Sequence, residues 1–269
     1  MTSAFQPPAY CWPDPDRDYA NGDFIAGAAL YPPRWQAAAQ AFRDSLGARA
    51  ECDLSYGSHP REAFDLFHPE GEARGTLLLI HGGWWLAFGR KDWSHLAAGA
   101  LARGWRVVMP SYPLTPEVRI STITESLARL TRSLKASYTG PLVASGHSAG
   151  GHLAARLATT EFGFNLSRCL PISPLAELGP VLGLKANQTL GLTEAEAAAE
   201  SPVRQQLCPG TRAHIHIGGL ERPGFFWQAR MLAETWNCPW SIAGGKHHFD
   251  VVDDLCDPDS ALISALLAD

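Results

Sequence analysis

Short apolar runs separated by longer amphipathic stretches form the pattern of this chain. Residues 76–80, 105–109 and 142–144 are rich in apolar side chains, which is typical of parallel strands covered on both faces. We predict a hairpin at residues 50–69, further strands at 168–173, 213–217 and 240–243, and helices at 92–103, 121–137, 223–235 and 259–267. This alternation predicts a mostly parallel sheet of about eight strands with helices on both faces.

Two regions depart from this alternation. Residues 1–49 are dense in proline and large aromatic side chains, and only residues 35–46 show helical spacing. A disordered arm is the alternative, but disordered segments are usually poor in aromatic residues. Residues 174–209 form a less regular insert with a helix at 193–200. We therefore predict an N-terminal arm or cap at 1–49 and a single domain at 50–269, with arm and insert covering the carboxyl edge of the sheet.

Composition and charge narrow the classes of partner. The net charge of −5, without a basic cluster, leads us to expect no nucleic-acid partner. The sequence has no signal-peptide pattern and no apolar run of membrane-spanning length, so we expect a cytoplasmic protein without a membrane partner. The six cysteines lack C-x-x-C spacing and are expected to be reduced thiols. A homodimer is left open.

The motif Gly-His-Ser-Ala-Gly at residues 146–150 lies between the strand at 142–144 and an alanine-rich helical stretch. Glycines at both ends of the motif give a sharp turn the space it needs, with Ser148 at its tip. The amide of Ala149 opens a helix, where negative charge is favoured. The pattern predicts a nucleophile elbow; a glycine-rich turn without chemistry is the alternative.

A nucleophilic serine needs a base to take its proton. His248 follows the strand at 240–243 and a Gly-Gly turn, so it lies on a loop at the carboxyl end of a strand, where ligands bind in such sheets. We predict His248 as the base, with His247 as the adjacent alternative.

The base needs an acid that orients it, and Glu221 follows the strand at 213–217. Catalytic residues of this kind follow one another along the chain in the order serine, acid, histidine, and Glu221 is the predicted acid in that order. The alternative is that Glu221 is a solvated turn residue paired with Arg222. Three carboxylates after the base are expected to be surface or helix-capping groups: Asp250, Asp253 and Asp254.

The oxyanion requires hydrogen-bond donors, and the stretch His-Gly-Gly-Trp-Trp at residues 81–85 follows the first parallel strand directly. The backbone N–H groups of Gly82, Gly83 and Ala149 are the predicted donors. His81 is expected to hold the loop by hydrogen bonding and not to touch substrate.

Three aromatic residues in and after this loop, Trp84, Trp85 and Phe88, are predicted to line a pocket, with core packing as the alternative. His214 and His216 alternate on one strand face, but no carboxylate or cysteine stands at metal-ligand spacing and H-E-x-x-H is absent. We therefore predict no metal and no cofactor.

Together these motifs resemble the kynurenine formamidase (arylformamidase) branch of the α/β-hydrolases, close to the esterase and lipase group related to hormone-sensitive lipase. The resemblance implies the α/β-hydrolase fold and a serine hydrolase that acts through Ser148, Glu221 and His248. Aspartate is the usual acid in this branch, so Glu221 is a departure, whereas Trp84 in place of a third glycine fits the formamidase-like members. The matching stretches are 81–85, 112–117, 146–152, 201–202, 221–225 with Gln228, and 248–250.

The resemblance implies a small-molecule substrate, an aryl formamide such as N-formylkynurenine. A formyl group needs no large acyl pocket, and the aromatic side chains supply contacts for the aryl group. Arg90 and Arg119 are candidates for the cation that would meet the kynurenine carboxylate, although no motif fixes either position. The alternatives are a short-chain carboxylesterase of broad specificity and, in another class, a non-catalytic ligand-binding homologue.

Overall fold

A single mixed sheet carries the functional loops, and its strands are ordered differently in space and in sequence. The computed structural model describes residues 14–268. The strands in that range are β1 (Ala50–Ser55), β2 (Ala63–Phe67), β3 (Thr76–Ile80), β4 (Arg106–Pro110), β5 (Leu142–His147), β6 (Arg168–Ile172), β7 (Arg212–Ala213), β8 (Ile215–Gly218) and β9 (Trp240–Ala243). They are arranged as β1-β2-β4-β3-β5-β6-β8-β9, with β7 paired to β6.

Most of the pairing is parallel, as predicted. The β1–β2 hairpin is antiparallel, and so is the pairing of β2 with β4. The remaining pairs are parallel, including β3 with β5 and β5 with β6. The carboxyl ends of β3, β5, β6, β8 and β9 therefore meet at one edge of the sheet.

Helices cover both faces of the sheet, which confirms the predicted architecture. In the described range they are α1 (Pro15–Tyr19), α2 (Tyr31–Leu46), α3 (Ala98–Ala102), α4 (Ile120–Ser137), α5 (Ala149–Leu157), α6 (Asn187–Leu190), α7 (Glu194–Glu200), α8 (Pro223–Thr235) and α9 (Ala261–Leu266). Helices α4, α5 and α8 share one hydrophobic core, and α2, α3 and α9 share the other.

The alternation of side chains along a central strand divides these two cores. On β3, Leu78 and Ile80 belong to the core under α4 and α5, whereas Leu77 and Leu79 belong to the other. Neighbouring residues of a strand point to opposite faces, and all five positions of β3 are buried. Burial between two cores therefore explains why residues 77–80 of β3 are all apolar.

One predicted helix is broken. Residues 92–103 form 3₁₀ turns followed by the short α3. Asp92, the expected N-cap of that helix, accepts hydrogen bonds from the N–H of Gly89 (2.8 Å) and from Gln36. Trp93 leaves helical geometry with a φ of −128°, and its ring centroid lies 4.5 Å from that of Trp35. Packing against α2 therefore overrides the local helical preference.

The segment before β1 contains more helix than its spacing indicates. Helix α2 begins at Tyr31 and not at residue 35, with prolines in its first turn, where the missing N–H has no intrahelical partner to lose. Helix α1 precedes it. Residues 1–13 of the predicted arm lie outside the described residues, and the boundaries of the arm, the domain and the insert stay predictions.

Candidate active site

Ser148 lies at the turn between β5 and α5, where the sequence places it. Its φ of 57° is in the left-handed region, which a non-glycine residue adopts only where the surroundings enforce it. A Cβ on Gly150 would lie 2.1 Å from the carbonyl oxygen of Ile80, and one on Gly146 would lie 2.3 Å from the carbonyl oxygen of Gly150. Both flanking positions therefore require glycine.

His248 and Glu221 meet through a short hydrogen bond between His248 Nδ1 and Glu221 Oε2, at 2.6 Å. Both residues are buried. Because an ionised carboxylate only accepts hydrogen bonds, Nδ1 carries the imidazole proton and Nε2 keeps its lone pair. His248 is thereby prepared to accept a proton at Nε2.

Backbone contacts hold the two loops that carry this pair against each other. The N–H of Leu220 donates to the carbonyl of Lys246 at 2.8 Å, and the N–H of Gly219 donates to the carbonyl of Ala243 at 2.7 Å. A Cβ on Gly218 would lie 2.5 Å from the carbonyl oxygen of Lys246. Glycines at the end of β8 thus let the loop that carries Glu221 approach the loop that carries His248.

Ser173 is a site residue that sequence reasoning missed. Its hydroxyl donates to Glu221 Oε1 at 2.5 Å, so each oxygen of the carboxylate has a partner. Ser173 follows the end of β6 and has a φ of 46°. The available signal was its position, since it follows a parallel strand just as Ser148 does.

The loop after β3 lies beside Ser148. A Cβ on Gly82 would lie 3.2 Å from the Cβ of Ser148, and Gly83 adopts a φ of 109°. Ala149 is the first residue of α5. The three predicted oxyanion donors are therefore grouped around Ser148, and their role stays a prediction.

His81 holds this loop, as expected. Its Nδ1 donates to the carbonyl of Gly82 at 2.7 Å, and its ring stacks on that of Tyr112 at 4.3 Å. The hydroxyl of Tyr112 donates to the carbonyl of His81 at 2.9 Å. Burial lowers the pKa of His81 to about 3, so the ring is neutral at physiological pH.

A cavity of about 260 Å³ opens above Ser148. Its walls are mainly aromatic, and the predicted pocket residues Trp84 and Phe88 are among them. The described lining residues are Tyr19, Ala20, Asn21, Gly22, Pro32, Trp35, Gly83, Trp84, Phe88, Trp93, His147, Ser148, His248 and Phe249. Ser148 and His248, the candidate nucleophile and base, therefore face one aromatic cavity.

The prediction for Trp85 is wrong, because this residue belongs to the core. Its side chain is fully buried, and its ring lies edge-on to that of His152, with centroids 5.1 Å apart. Its carbonyl accepts hydrogen bonds from the N–H (2.9 Å) and the hydroxyl (3.1 Å) of Thr115. Trp84 and Trp85 both have φ near 57°, and this turn sends the two neighbouring rings to different places.

Residues before β1 form the wall opposite Ser148. Tyr19 lies between Trp84 and Phe225, with ring centroids 6.2 and 5.5 Å away. Its hydroxyl accepts a hydrogen bond from Gln228 Nε2 at 2.8 Å. Gln228 Oε1 accepts in turn from the N–H of Ala176 at 2.8 Å. The insert thus supports this wall from behind, and none of the described lining residues comes from 174–209.

The two arginines suggested for a substrate carboxylate lie elsewhere. Arg90 binds Asp65, with Nε 3.0 Å from Oδ1, and Asp53. Arg119 binds Glu196, with Nη1 3.5 Å from Oε2. Neither arginine is among the described lining residues, so that prediction is wrong.

The neighbouring histidines have other contacts. His247 makes a 3.1 Å hydrogen bond from Nε2 to the hydroxyl of Tyr31, and its Nδ1 lies 3.0 Å from Asp250 Oδ1. His147 lines the cavity, with its ring centroid 4.5 Å from that of His248. Burial and, to a lesser degree, the nearby His248 hold the pKa of His147 well below its ordinary value. Contact with Glu221 thus distinguishes His248 from both.

The other histidines and carboxylates considered in the sequence form hydrogen bonds or ion pairs with side chains outside the predicted triad. His214 Nε2 and His216 Nδ1 each lie 2.8 Å from the hydroxyl of Ser241. Asp253 pairs with Arg34, and Asp254 with Lys246. Over residues 14–268, no three His, Cys, Asp or Glu side chains are grouped to hold a metal ion. No helix of that range is long and apolar enough to cross a membrane.

Comparisons with known sequences agree with the resemblance. The sequence model of the alpha/beta hydrolase family matches residues 77–263. The kynurenine formamidase of Salmo salar is 24% identical to this chain over 242 residues, with 82% of each chain covered. That of Danio rerio is 28% identical over 238 residues, with 80% of each covered.

Comparisons with solved structures agree with the fold. A crystal structure from a Silicibacter species, provisionally named a thioesterase, has a TM-score of 0.91 and 46% identity, and covers 94% of this chain and 98% of that one. Esterase B of Lactobacillus rhamnosis has a TM-score of 0.63 and 17% identity, with 85% of this chain and 90% of that one covered. The second likeness shows a shared fold alone.

Proposed function

The chain belongs to the alpha/beta hydrolase family, and we propose that it is a serine hydrolase that removes a formyl group from an aromatic amine through an acyl-enzyme. One observation carries the proposal: Ser148 and the hydrogen-bonded pair of His248 and Glu221 lie at one aromatic cavity. The same pair favours an enzyme over a non-catalytic binding protein.

In the proposed reaction the hydroxyl of Ser148 attacks the formyl carbon while His248 Nε2 takes its proton. Glu221 stabilises the imidazolium that forms. The N–H groups of Gly82, Gly83 and Ala149 are the proposed donors to the oxyanion, and such a donor typically contributes about 3 kcal/mol in the transition state. His248 then gives its proton to the departing amine, and water releases formate by the same steps in reverse.

The cavity offers its contacts mainly to the aryl group of the proposed substrate. Trp84, Phe88 and Trp35 offer apolar surface and aromatic edges, which suit an aromatic ring. A formyl group is the smallest acyl group and needs little space beside Ser148. The kynurenine formamidases among the relatives support this substrate class.

Hydrolysis of short acyl esters or thioesters is a second candidate, which the 46% identity to the Silicibacter protein favours. Purified enzyme should be tested on formanilide, N-formylkynurenine, acetyl thioesters and 4-nitrophenyl acetate and butyrate. Formanilide turnover with kcat/KM above that of the esters is the expected result. Brisk ester or thioester cleavage without release of any arylamine would contradict the formamidase proposal and favour the second candidate.

A further inference from the structure

We infer that the site selects an uncharged aryl acceptor group and discriminates against one that bears a carboxylate. The inference rests on the proposed function and refines its substrate class. It follows from three features: the walls of the cavity, the partners of the nearby arginines, and the charges at the cavity mouth.

Among the described residues, the walls of the cavity offer no counter-charge to an anion. The titratable side chains among the described lining residues are Tyr19, His147 and His248. Burial raises the pKa of Tyr19 and lowers that of His147, so both are neutral at physiological pH. A positive charge on His248 during the reaction is matched by Glu221. A carboxylate held against these aromatic walls would lose its hydration without gaining a partner.

The arginines near the cavity are engaged in other contacts. Arg61 lies behind Phe88, where it donates to the backbone carbonyls of Phe88 and Tyr112. At the mouth, Arg34 binds Asp253 at 3.2 Å. Arg34 also lies over the ring of Tyr31, 4.4 Å from its centroid. Residues 1–13 contain no lysine or arginine, so that stretch adds no side-chain cation.

Charged side chains lie on both sides of the mouth. Next to Ala20, which lines the cavity, a shallow depression has three aspartates and two cations in its walls: Asp14, Asp16, Asp23, Arg17 and Lys185. A third cation, Arg222, lies over the ring of Phe24 in the same depression, 3.6 Å from its centroid, so the charges on this side balance. On the side where Phe249 ends the lining, three aspartates lie with Arg34 and Lys246: Asp250, Asp253 and Asp254. An anionic substrate therefore meets repulsion on the Phe249 side and no net attraction on the Ala20 side, whereas a neutral one meets neither.

A matched pair of substrates tests the inference. 4-Formamidobenzoate and 4-formamidobenzamide have nearly the same shape and differ in charge. We expect kcat/KM, normalised to the hydroxide-catalysed rate of each compound, to favour the benzamide by at least about tenfold. Added salt should raise kcat/KM for the benzoate alone, because it screens the repulsion. Equal rates, or a preference for the benzoate, would overturn the inference and leave the proposed formamidase function standing.

A substitution at the mouth gives a second readout. Ala20→Lys adds a cation to the wall, and Ala20→Gln is the matched neutral control. We expect the benzoate-to-benzamide ratio of kcat/KM to rise about tenfold in the lysine variant and to stay constant in the glutamine variant. The ratio within one variant does not depend on how much protein is folded. An unchanged ratio in Ala20→Lys would contradict the inference.

Esters keep the two proposals separate. If the enzyme hydrolyses neither formamide but cleaves esters, the formamidase proposal fails. The charge inference is then decided on 4-acetoxybenzoate and 4-acetoxybenzamide. A preference for the neutral ester of about tenfold would support it, and the absence of a preference would overturn it.

Discussion

The side of the cavity that carries the proposed catalytic residues, called the catalytic side below, and the wall opposite it are built in different ways. Ser148, Ser173 and Glu221 each follow a parallel strand within a few residues, so the edge of the sheet positions them. The opposite wall comes from residues 14–35, which belong to no strand. Side-chain contacts such as that of Tyr19 with Gln228 hold it in place.

We infer that this difference separates the residues of the proposed chemistry from those that set specificity. A residue placed by a strand end is fixed by a short local motif, because the strand, the turn and the next helix are contiguous in the chain. A wall held by distant side chains depends on tertiary contacts that no short motif records. We therefore expect changes on the catalytic side to lower kcat, and changes in the opposite wall to raise KM.

The largest expected effect is that of Ser148→Ala, which should lower kcat by at least about 10⁴-fold, because only binding and oxyanion donors remain. Initial rates on formanilide and labelling by a fluorophosphonate probe would measure it. Ser133→Ala, on the exposed side of α4, is the control and should behave as the wild type. Equal labelling of the wild type and Ser148→Ala would exclude Ser148 as the nucleophile.

Glu221→Gln should lower kcat by about 10³- to 10⁴-fold with little change in KM, because the imidazole loses its counter-charge and its fixed tautomer. Asp250→Asn is the comparison, since Asp250 contacts His247 and not His248. Its effect on kcat should be far smaller. If Asp250→Asn proved the more damaging, the acid would be assigned to the wrong carboxylate.

The sequence predicted the sheet and the region around Ser148 well because both depend on local patterns. Uniformly apolar runs indicated the buried strands. Gly146 and Gly150 indicated the turn at Ser148, which lies between them. The hairpin at residues 50–69 and helix α8 also lie where spacing placed them. Each of these features is encoded within a window of some twenty residues.

The sequence failed where the answer depends on contacts between distant segments. Ser173 contacts Glu221 because β6 lies beside β8, where Ile172 pairs with His216. Nothing within one strand reveals that neighbour. Trp84 and Trp85 are identical in type and adjacent, yet a left-handed turn sends one to the cavity and the other to the core. Local patterns carry no information on that choice.

The catalytic side should also be the less tolerant of added volume. In an ordinary helix, Gly→Ala stabilises by roughly 0.5–1 kcal/mol. At Gly150 the added Cβ would lie 2.1 Å from the carbonyl oxygen of Ile80, so we expect Gly150→Ala to destabilise by at least about 3 kcal/mol. Gly183→Ala, where no atom lies within 4 Å of the new Cβ, is the control. Urea unfolding of both variants would measure the difference, and similar midpoints would contradict the expected clash.

Low pH should lower the stability of the fold through the buried histidines of the catalytic side. Burial lowers the pKa of His152 to about 4 and that of His81 to about 3, whereas both titrate near 6.5 when unfolded. Their stabilisation is therefore complete above pH 6.5 and is lost progressively as pH falls toward 4. Each group contributes up to about 1.4 kcal/mol per pH unit in that window. Tm measured from pH 7.5 to 4.5 should fall, and His152→Gln should reduce the slope. A flat profile would contradict the burial of neutral rings.

The smallest expected effect is that of Tyr19→Phe in the opposite wall. The change removes the hydroxyl that accepts from Gln228, at a cost of about 1 kcal/mol. The ring keeps its packing on Phe225, whose centroid lies 4.2 Å from that of His248.

We therefore expect Tyr19→Phe to raise KM for formanilide by less than about fivefold and to leave kcat and probe labelling unchanged. Tyr138→Phe, whose ring packs under Arg106 away from the cavity, should change neither constant. The outcome most damaging to the comparison is a large fall in kcat at constant KM. The wall that residues 14–35 supply would then act on the reacting groups, and chemistry and specificity would no longer divide along the two sides of the cavity.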